Sequence, residues 1–131
     1  MTPLLWIVVK MAIMTFAALL LASLWRARGW TPAGMALAMG NRENMPAPTA
    51  LDVRADRTAR NTLEGFVLFT AIALVAHAAG KATPLVLQGA EVFFWARLLY
   101  IPIYVAGLAY VRTLVWGASV FGLGMMVYGL K

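Results

Sequence analysis

Five polar side chains stand directly before a long apolar run: Arg54, Arg57, Arg60, Asn61 and Glu64, all within 11 residues. Residues three, four and seven positions apart share one face of a helix, so a helix here would carry the last four as one polar stripe, with Arg54 at its edge. Guanidinium groups bind carboxylates bidentately, a carboxylate can bind an ammonium group, and an amide both donates and accepts. The stripe therefore predicts one wall of a pocket for a small anionic ligand, such as a zwitterion with more than one carboxylate.

A solvated stalk whose arginines hold lipid phosphates is the alternative interpretation of this stripe. For Arg54 both interpretations stay open. Asn61 and Glu64 favour the pocket, because a lone carboxylate is energetically unfavourable at a membrane boundary.

A second polar group lies inside a later apolar segment. Arg97, Tyr100 and Tyr104 are three and seven residues apart and therefore share a helix face. An arginine inside a membrane needs a polar partner, and Glu64 is the only acidic residue in the same half of any apolar segment. We expect Glu64 either to pair with Arg97 or to bind the ligand. Pro102 removes one backbone hydrogen bond and should bend this helix.

Arg112 and Thr113 follow in a predicted turn between two apolar segments. A cation fixed at the membrane surface would lower the pKa of a bound ligand group, and the Thr113 hydroxyl would donate a hydrogen bond to it. The alternative for Arg112 is one more positive charge on the cytoplasmic side. The chain has no cysteine and one histidine, and its acidic residues lack metal-ligand spacing. No metal is therefore expected, and any reacting thiol must arrive with the ligand.

Composition places these residues in a membrane protein. The chain has 131 residues, of which 63% are hydrophobic and 12% charged, and its mean hydropathy is +0.80. So short a chain cannot bury that much apolar surface in water, so lipid must cover the rest. We predict an all-α integral membrane protein with a single domain, residues 1–131. The net charge of +6 lies beside membrane segments, which favours anionic lipid or an anionic ligand over nucleic acid as the partner.

Hydropathy predicts four transmembrane helices, because about 20 apolar residues cross a hydrocarbon core of roughly 30 Å. The predicted spans are 4–24, 66–79, 90–109 and 111–130. The second should begin earlier as a polar helix, capped by Thr49 or Asp52. We expect segment 29–48 to be a loop or a short interfacial segment. Gly117, Gly122 and Gly124 suit close packing of the fourth span.

Loop charge predicts the orientation. The connection after the second span carries only Lys81, whereas that after the first carries six arginines: Arg26, Arg28, Arg42, Arg54, Arg57 and Arg60. The positive-inside rule places the arginines in the cytoplasm and both termini on the other side. The expected location is a bacterial inner membrane.

Two motifs together resemble the MAPEG family, membrane-associated proteins in eicosanoid and glutathione metabolism. The stretch "RADRTARNTLE" resembles the family's arginine-rich turn that leads into Arg-Asn-x-x-Glu. The stretch "WARLLYIPIYVAGLAYVRT" resembles its third helix, which carries an arginine and a tyrosine and is followed by an arginine after the turn. With four spans and a similar length, the resemblance covers almost the whole chain.

The resemblance implies a homotrimer of four-helix bundles with glutathione bound between neighbouring subunits on the cytoplasmic side. It implies that the following side chains contact glutathione: Arg57, Arg60, Asn61, Glu64, Tyr104 and Arg112. Arg112 would stabilise the thiolate, and Thr113 stands where some members have a serine near the thiol. Tyr100 stands where some members have a histidine, and Arg26 is the candidate for an arginine supplied by helix one. Arg54 and Arg97 complete the expected binding set.

The implied activity is transfer of glutathione, as co-substrate, to a lipophilic electrophile that enters from the bilayer, or reduction of a lipid hydroperoxide. Two rival functions use the same residues. The first is a non-catalytic membrane protein whose arginines hold anionic lipid or an acidic partner. The second is a small transporter that uses Arg97 and Glu64 along a conduction path.

Overall fold

A computed structural model describes residues 1–131 as five helices without a strand. The helices are α1 (Pro3–Ala27), α2 (Pro32–Met39), α3 (Ala50–Ala78), α4 (Pro84–Val105) and α5 (Ala109–Tyr128). All except α2 are long and apolar enough to cross a membrane. The predicted all-α chain with four candidate spans is confirmed.

Threonine caps start four of the five helices. The side chains of Thr2, Thr31, Thr49 and Thr83 each accept a hydrogen bond from a backbone N–H of the following turn. Proline comes directly after three of these threonines, and its fixed φ suits the first helical position. At Thr49 the cap is reciprocal, because the Asp52 side chain accepts from the Thr49 backbone N–H. The predicted start of the second transmembrane helix is therefore correct.

The predicted bounds of the third span are wrong at both ends. The helix begins at Pro84 instead of residue 90, because Thr83 and Pro84 form a start signal that hydropathy does not register. It ends at Val105, and Gly107 turns the chain with φ of +80°. Since α5 begins at Ala109, Arg112 lies in the first turn of a helix and not in the connection.

The segment predicted as a loop or interfacial piece contains α2, an exposed helix of eight residues. Gly34 fits this helix against the end of α1, since a Cβ there would lie 1.9 Å from the Arg28 carbonyl oxygen. The segment is thus tied to the bundle at one point.

Close backbone contact joins α4 to α5. A Cβ added at Gly89 would lie 2.6 Å from the Gly122 carbonyl oxygen, and one added at Gly122 would lie 2.7 Å from that of Gly89. The prediction of close packing thus holds for Gly122. Gly117 and Gly124 face open space within the single chain.

The two ends of the bundle differ in chemistry. Ten buried apolar side chains, including Leu4, Phe69, Val86 and Met126, form the core toward the end that carries both termini. The opposite end comprises the α1–α3 connection (28–49), the first turns of α3 and the α4–α5 turn (106–108), and we name it the arginine-rich end.

Candidate functional site

A pocket of about 310 Å³ opens where three helices meet near the arginine-rich end. Its lining comes from α3, α4 and α5: Asn61, Tyr100, Tyr104, Arg112, Thr113 and Trp116. The turn at 106–108 reverses the chain and so brings the end of α4 beside the start of α5. The structure therefore gathers four predicted site residues, Asn61, Tyr104, Arg112 and Thr113, around one cavity.

Aromatic rings hold the cation of this pocket. The Arg112 guanidinium lies 4.7 Å from the centre of the Tyr104 ring, and that ring meets Tyr100 edge-on with centroids 5.5 Å apart. A cation over an aromatic face is electrostatically favoured. Arg112 has no carboxylate within 4.0 Å, so its charge remains available to an anion. The expected hydrogen bond from the Thr113 hydroxyl to the ligand is not available here, because this hydroxyl donates to the Ala109 carbonyl at 3.1 Å. Its oxygen remains free only to accept.

Trp116 was not predicted as a site residue. It stands four residues after Arg112 and therefore on the same face of α5, so helical spacing would have found it. Tyr100, which stands where some MAPEG proteins have a histidine, also lines the pocket.

Arg97 lies behind the pocket wall and is 1% exposed. Its Nη2 donates to Asn61 Oδ1 at 2.8 Å and to Thr62 Oγ1 at 3.3 Å, while its Nε has no partner. The guanidinium also lies 4.2 Å from the centre of the Tyr100 ring. The ion pair that charge alone suggested with Glu64 does not form, and Glu64 is exposed. An amide, a hydroxyl and a ring replace the expected carboxylate.

The three arginines of the α3 stripe lie outside this pocket. Arg54 donates from Nε to the Val105 carbonyl at 3.0 Å, and so joins α3 to the end of α4. Arg60 forms an exposed ion pair with Asp56 at 2.9 Å. Arg57 is exposed and lines a second pocket.

The second pocket, of about 470 Å³, lies between α1 and α3 at the arginine-rich end. Its charged and hydroxyl-bearing lining residues are Ser23, Arg26, Arg42, Asp52, Asp56 and Arg57. Both carboxylates already have arginine partners, since Asp52 pairs with Arg28 and Asp56 with Arg60, each at 2.9 Å. The arginines that line this pocket therefore have no carboxylate partner, which favours an anion there.

An apolar pocket of about 210 Å³ lies on another side of the same end, between α1, α3 and α4. Nine of its ten lining residues are hydrophobic, among them Leu21, Trp25 and Val105. Of the residues that line it, none belongs to the pocket that contains Arg112.

Taken together, the four apolar helices and these polar pockets define an integral, multi-pass membrane protein. The sequence model of the MAPEG family matches residues 3–130, and the chain belongs to this family. The family includes glutathione transferases and related membrane proteins. Searches of curated proteins and of solved structures found no significant match.

Proposed function

We propose that this protein is a membrane-bound glutathione transferase whose glutathione thiolate is stabilised by Arg112. The observation that carries the proposal is the convergence of Asn61, Tyr104, Arg112 and Thr113 on one pocket, in a chain of a family that generally uses glutathione. Glutathione is a zwitterion with two carboxylates, one ammonium group and a thiol. The pocket and its surroundings offer groups complementary to each of these.

Arg112 provides the charge that this reaction needs. A free thiol has a pKa of about 8.5 and is mostly protonated at neutral pH, so a fixed neighbouring cation increases the thiolate fraction. Each unit of pKa shift corresponds to about 1.4 kcal/mol. The N-terminus of α5 adds to this effect, because it is the one helix start without a side-chain cap, and helix N-termini favour anions. Arg112 and Thr113 lie close to this N-terminus.

The remaining contacts of glutathione are assigned to two subunits. A pocket of about 310 Å³ is at the lower limit of small-molecule sites, which are roughly 300–1,000 Å³, so a second surface would be needed to enclose the ligand. We assign that surface to a neighbouring copy, with Arg26 and Arg57 of its second pocket binding a carboxylate. Arg54, Arg60 and Glu64 lie on α3 together with Arg57, and we place them at the edge of this site between subunits. The assembly we propose is a homotrimer.

The second substrate would enter from lipid. Only 17% of the most apolar stretch of α5 is buried within the chain, so a lipophilic electrophile can approach Trp116 and Arg112 along this helix. In the transfer reaction, the thiolate sulfur attacks an electrophilic carbon, a carbon–sulfur bond forms, and a halide leaves with the bonding electrons. Reduction of a lipid hydroperoxide by the same thiolate is the second activity proposed for this site.

Glutathione titration of the purified protein tests the proposal. Saturable thiolate absorbance is expected, together with conjugation of an activated aryl chloride. Arg112→Ala should remove the thiolate signal and slow conjugation by about 100-fold, in line with the loss of one charge-stabilising group. The matched control is Lys81→Ala, which removes a cation at the opposite end of the bundle and should behave as wild type. A wild-type protein without saturable thiolate would overturn the proposal.

Binding of anionic lipid by the arginines is the competing function. The Arg60 side chain is 73% exposed and pairs only with Asp56, so it is accessible to a lipid phosphate. A non-catalytic lipid binder would form no conjugate and would retain anionic lipid through purification. Substitution of the arginines at residues 57 and 60 would then reduce the retained lipid.

We further propose that the arginine-rich end faces the cytoplasm. The chain contains no cysteine, so single cysteines can report the orientation. In sealed inside-out vesicles, a membrane-impermeant maleimide should label Asn41→Cys and leave Lys81→Cys unlabelled. Labelling at residue 81 alone would reverse the proposed orientation.

A further inference from the structure

Arg97 is a buried cation without a carboxylate partner. It is 1% exposed, and neither of the two ion pairs in the chain includes it. Burying a charge is energetically costly unless hydrogen bonds or a pairing group compensate for it, so the groups that contact Arg97 must stabilise its charge. Those groups are Asn61, Thr62 and Tyr100.

The chemistry of a guanidinium fixes the orientation of the Asn61 amide. Arginine has five N–H donors and no acceptor, so the atom of Asn61 that lies 2.8 Å from Arg97 Nη2 must be the carbonyl oxygen Oδ1. The amide NH₂ is then at the opposite side of the group. Asn61 is partly exposed and lines the pocket of Arg112, and its side chain makes no other hydrogen bond in the protein. Its two N–H groups are therefore unused.

Two neighbours hold Arg97 in place. Thr62 is fully buried and donates its hydroxyl hydrogen to the Thr58 carbonyl at 2.8 Å, so its oxygen can only accept from Arg97. The Tyr100 ring packs against the guanidinium at 4.2 Å. The Arg97 side chain does not itself line the pocket. Arg97 is thus a fixed support placed behind Asn61.

We infer that Arg97 is a positioning residue, which holds the Asn61 carbonyl and so presents the Asn61 NH₂ as a dedicated hydrogen-bond donor to an anionic or carbonyl group of the ligand. The inference rests on the proposed function, since it names how one wall of the glutathione pocket is oriented. It changes the sequence-based expectation for both residues. Asn61 acts toward the ligand as a donor only, and Arg97 acts through Asn61 and not by direct contact.

A double-mutant cycle tests the inference. Arg97→Met keeps much of the side-chain length but removes every donor, and Asn61→Ala removes the amide. Each single change should weaken glutathione binding by about fivefold to tenfold, the effect of one lost hydrogen bond of roughly 1–1.4 kcal/mol. In the Asn61→Ala background, Arg97→Met should cost less than twofold more, because residues that act through one another are not additive. Additive losses would overturn the inference and assign Arg97 a direct effect on the ligand.

Two further measurements separate this role from a structural one. The thiolate titration of bound glutathione should keep its midpoint pH in Arg97→Met, whereas a direct electrostatic role of Arg97 would raise that midpoint. Arg97→Lys should recover part of the lost affinity, since lysine retains a donor for Asn61 Oδ1. If Arg97→Met does not fold, Arg97→Leu takes its place in the cycle, because leucine also lacks any donor to Asn61 Oδ1 and is smaller than methionine.

Side-chain NMR distinguishes failure of this inference from failure of the proposed function. The chain has only three asparagines, Asn41, Asn44 and Asn61, so selective ¹⁵N labelling gives three side-chain amide signals. The Asn61 signal, assigned from Asn61→Ala, should move in ligand-free Arg97→Met and should move again when wild type binds glutathione. An unchanged signal in Arg97→Met overturns the contact. If the Asn61 signal moves in Arg97→Met but wild-type protein binds no glutathione, the Arg97–Asn61 contact is supported and the proposed function is overturned.

Discussion

The two ends of this bundle are built by different physical means. Toward the termini, Phe69 and Phe93 stack with ring centres 4.8 Å apart and planes 6° apart, within a core of buried apolar side chains. One helical turn beyond Phe93 lies Arg97, and from there toward the arginine-rich end the buried groups include Thr58, Thr62 and Asp52. Packing holds the first region, and hydrogen bonds and ion pairs hold the second.

Along the bundle axis, the apolar end therefore provides most of the packing, and the arginine-rich end contains the polar pockets. The polar pockets lie at the arginine-rich end, where side chains are held by specific directional contacts such as Arg97 to Asn61. Dispersion in the apolar core has no such directionality. Substitutions at the apolar end should therefore lower the stability of the whole fold, while those at the arginine-rich end should act locally, on individual side chains and on the segments that these side chains hold in place.

Phe69→Ala should produce the largest loss of stability. The side chain is fully buried against Phe93, and removing such an aromatic group costs about 3 kcal/mol or more. Unfolding in a detergent mixture would measure this change. Phe121→Ala is the control, because that ring is 67% exposed and should cost little. The folded fraction of Phe69→Ala should bind glutathione as wild type does; weaker binding would show that the two ends are not independent.

Gly122→Ala should destabilise the α4–α5 contact by about 2 kcal/mol relative to Gly124→Ala. Both changes add a Cβ and gain the same helix propensity, but the Cβ at residue 122 would lie 2.7 Å from the Gly89 carbonyl oxygen, whereas the Cβ at residue 124 would meet nothing within 4 Å. The comparison uses the difference in thermal unfolding temperature between the two variants. Equal stability would mean that α4 and α5 can separate slightly without loss.

Sequence patterns predicted the elements better than their contacts. Hydropathy located four spans, and cap chemistry located the start of α3 at Thr49. The same chemistry at Thr83 and Pro84 marks the start of α4, whereas hydropathy alone predicts a start at residue 90. Periodicity identifies which residues share a helix face, and it does not identify how far a side chain reaches or which neighbour it meets.

The site shows the same limit. Asn61, Tyr104, Arg112 and Thr113 were predicted and lie together, since three helices must converge near the α4–α5 turn. Charge alone predicts Glu64 as the partner of Arg97, yet burial and geometry bring Asn61 and Thr62 closer. Net charge also could not reveal that Asp52 and Asp56 are already paired with Arg28 and Arg60. Side-chain pairing depends on packing that no single segment encodes.

Asp52→Asn should destabilise the arginine-rich end by about 1–2 kcal/mol. The Asp52 side chain is 2% exposed, pairs with Arg28 at 2.9 Å and accepts from the Thr49 backbone N–H at 2.8 Å. Charge-assisted hydrogen bonds to a buried group are stronger than exposed pairs. Hydrogen exchange should increase in segment 28–52 and remain unchanged around Phe69.

Asp56→Asn is the matched control for that change. Asp56 forms an ion pair of the same length with Arg60, but its side chain is 59% exposed. An exposed helix pair contributes about 0.5 kcal/mol or less. If both substitutions had the same effect, burial would not be what makes the Asp52 contact important.

Gly65→Ser should give the smallest and most specific effect, a gain in stability of about 0.5–1 kcal/mol over Gly65→Ala. A Cβ at this position would lie 3.7 Å from Arg97 Nε, the buried donor that has no partner, and 3.4 Å from Phe93, so either side chain fits. A serine hydroxyl can accept from that N–H, whereas alanine cannot, and satisfying a buried donor outweighs the slightly lower helix propensity of serine. Thermal unfolding of the two variants measures the difference. Equal or lower stability of the serine variant would mean that Arg97 Nε already has a partner such as water. Water would then reach the surroundings of Arg97, in contrast to the apolar core around Phe93.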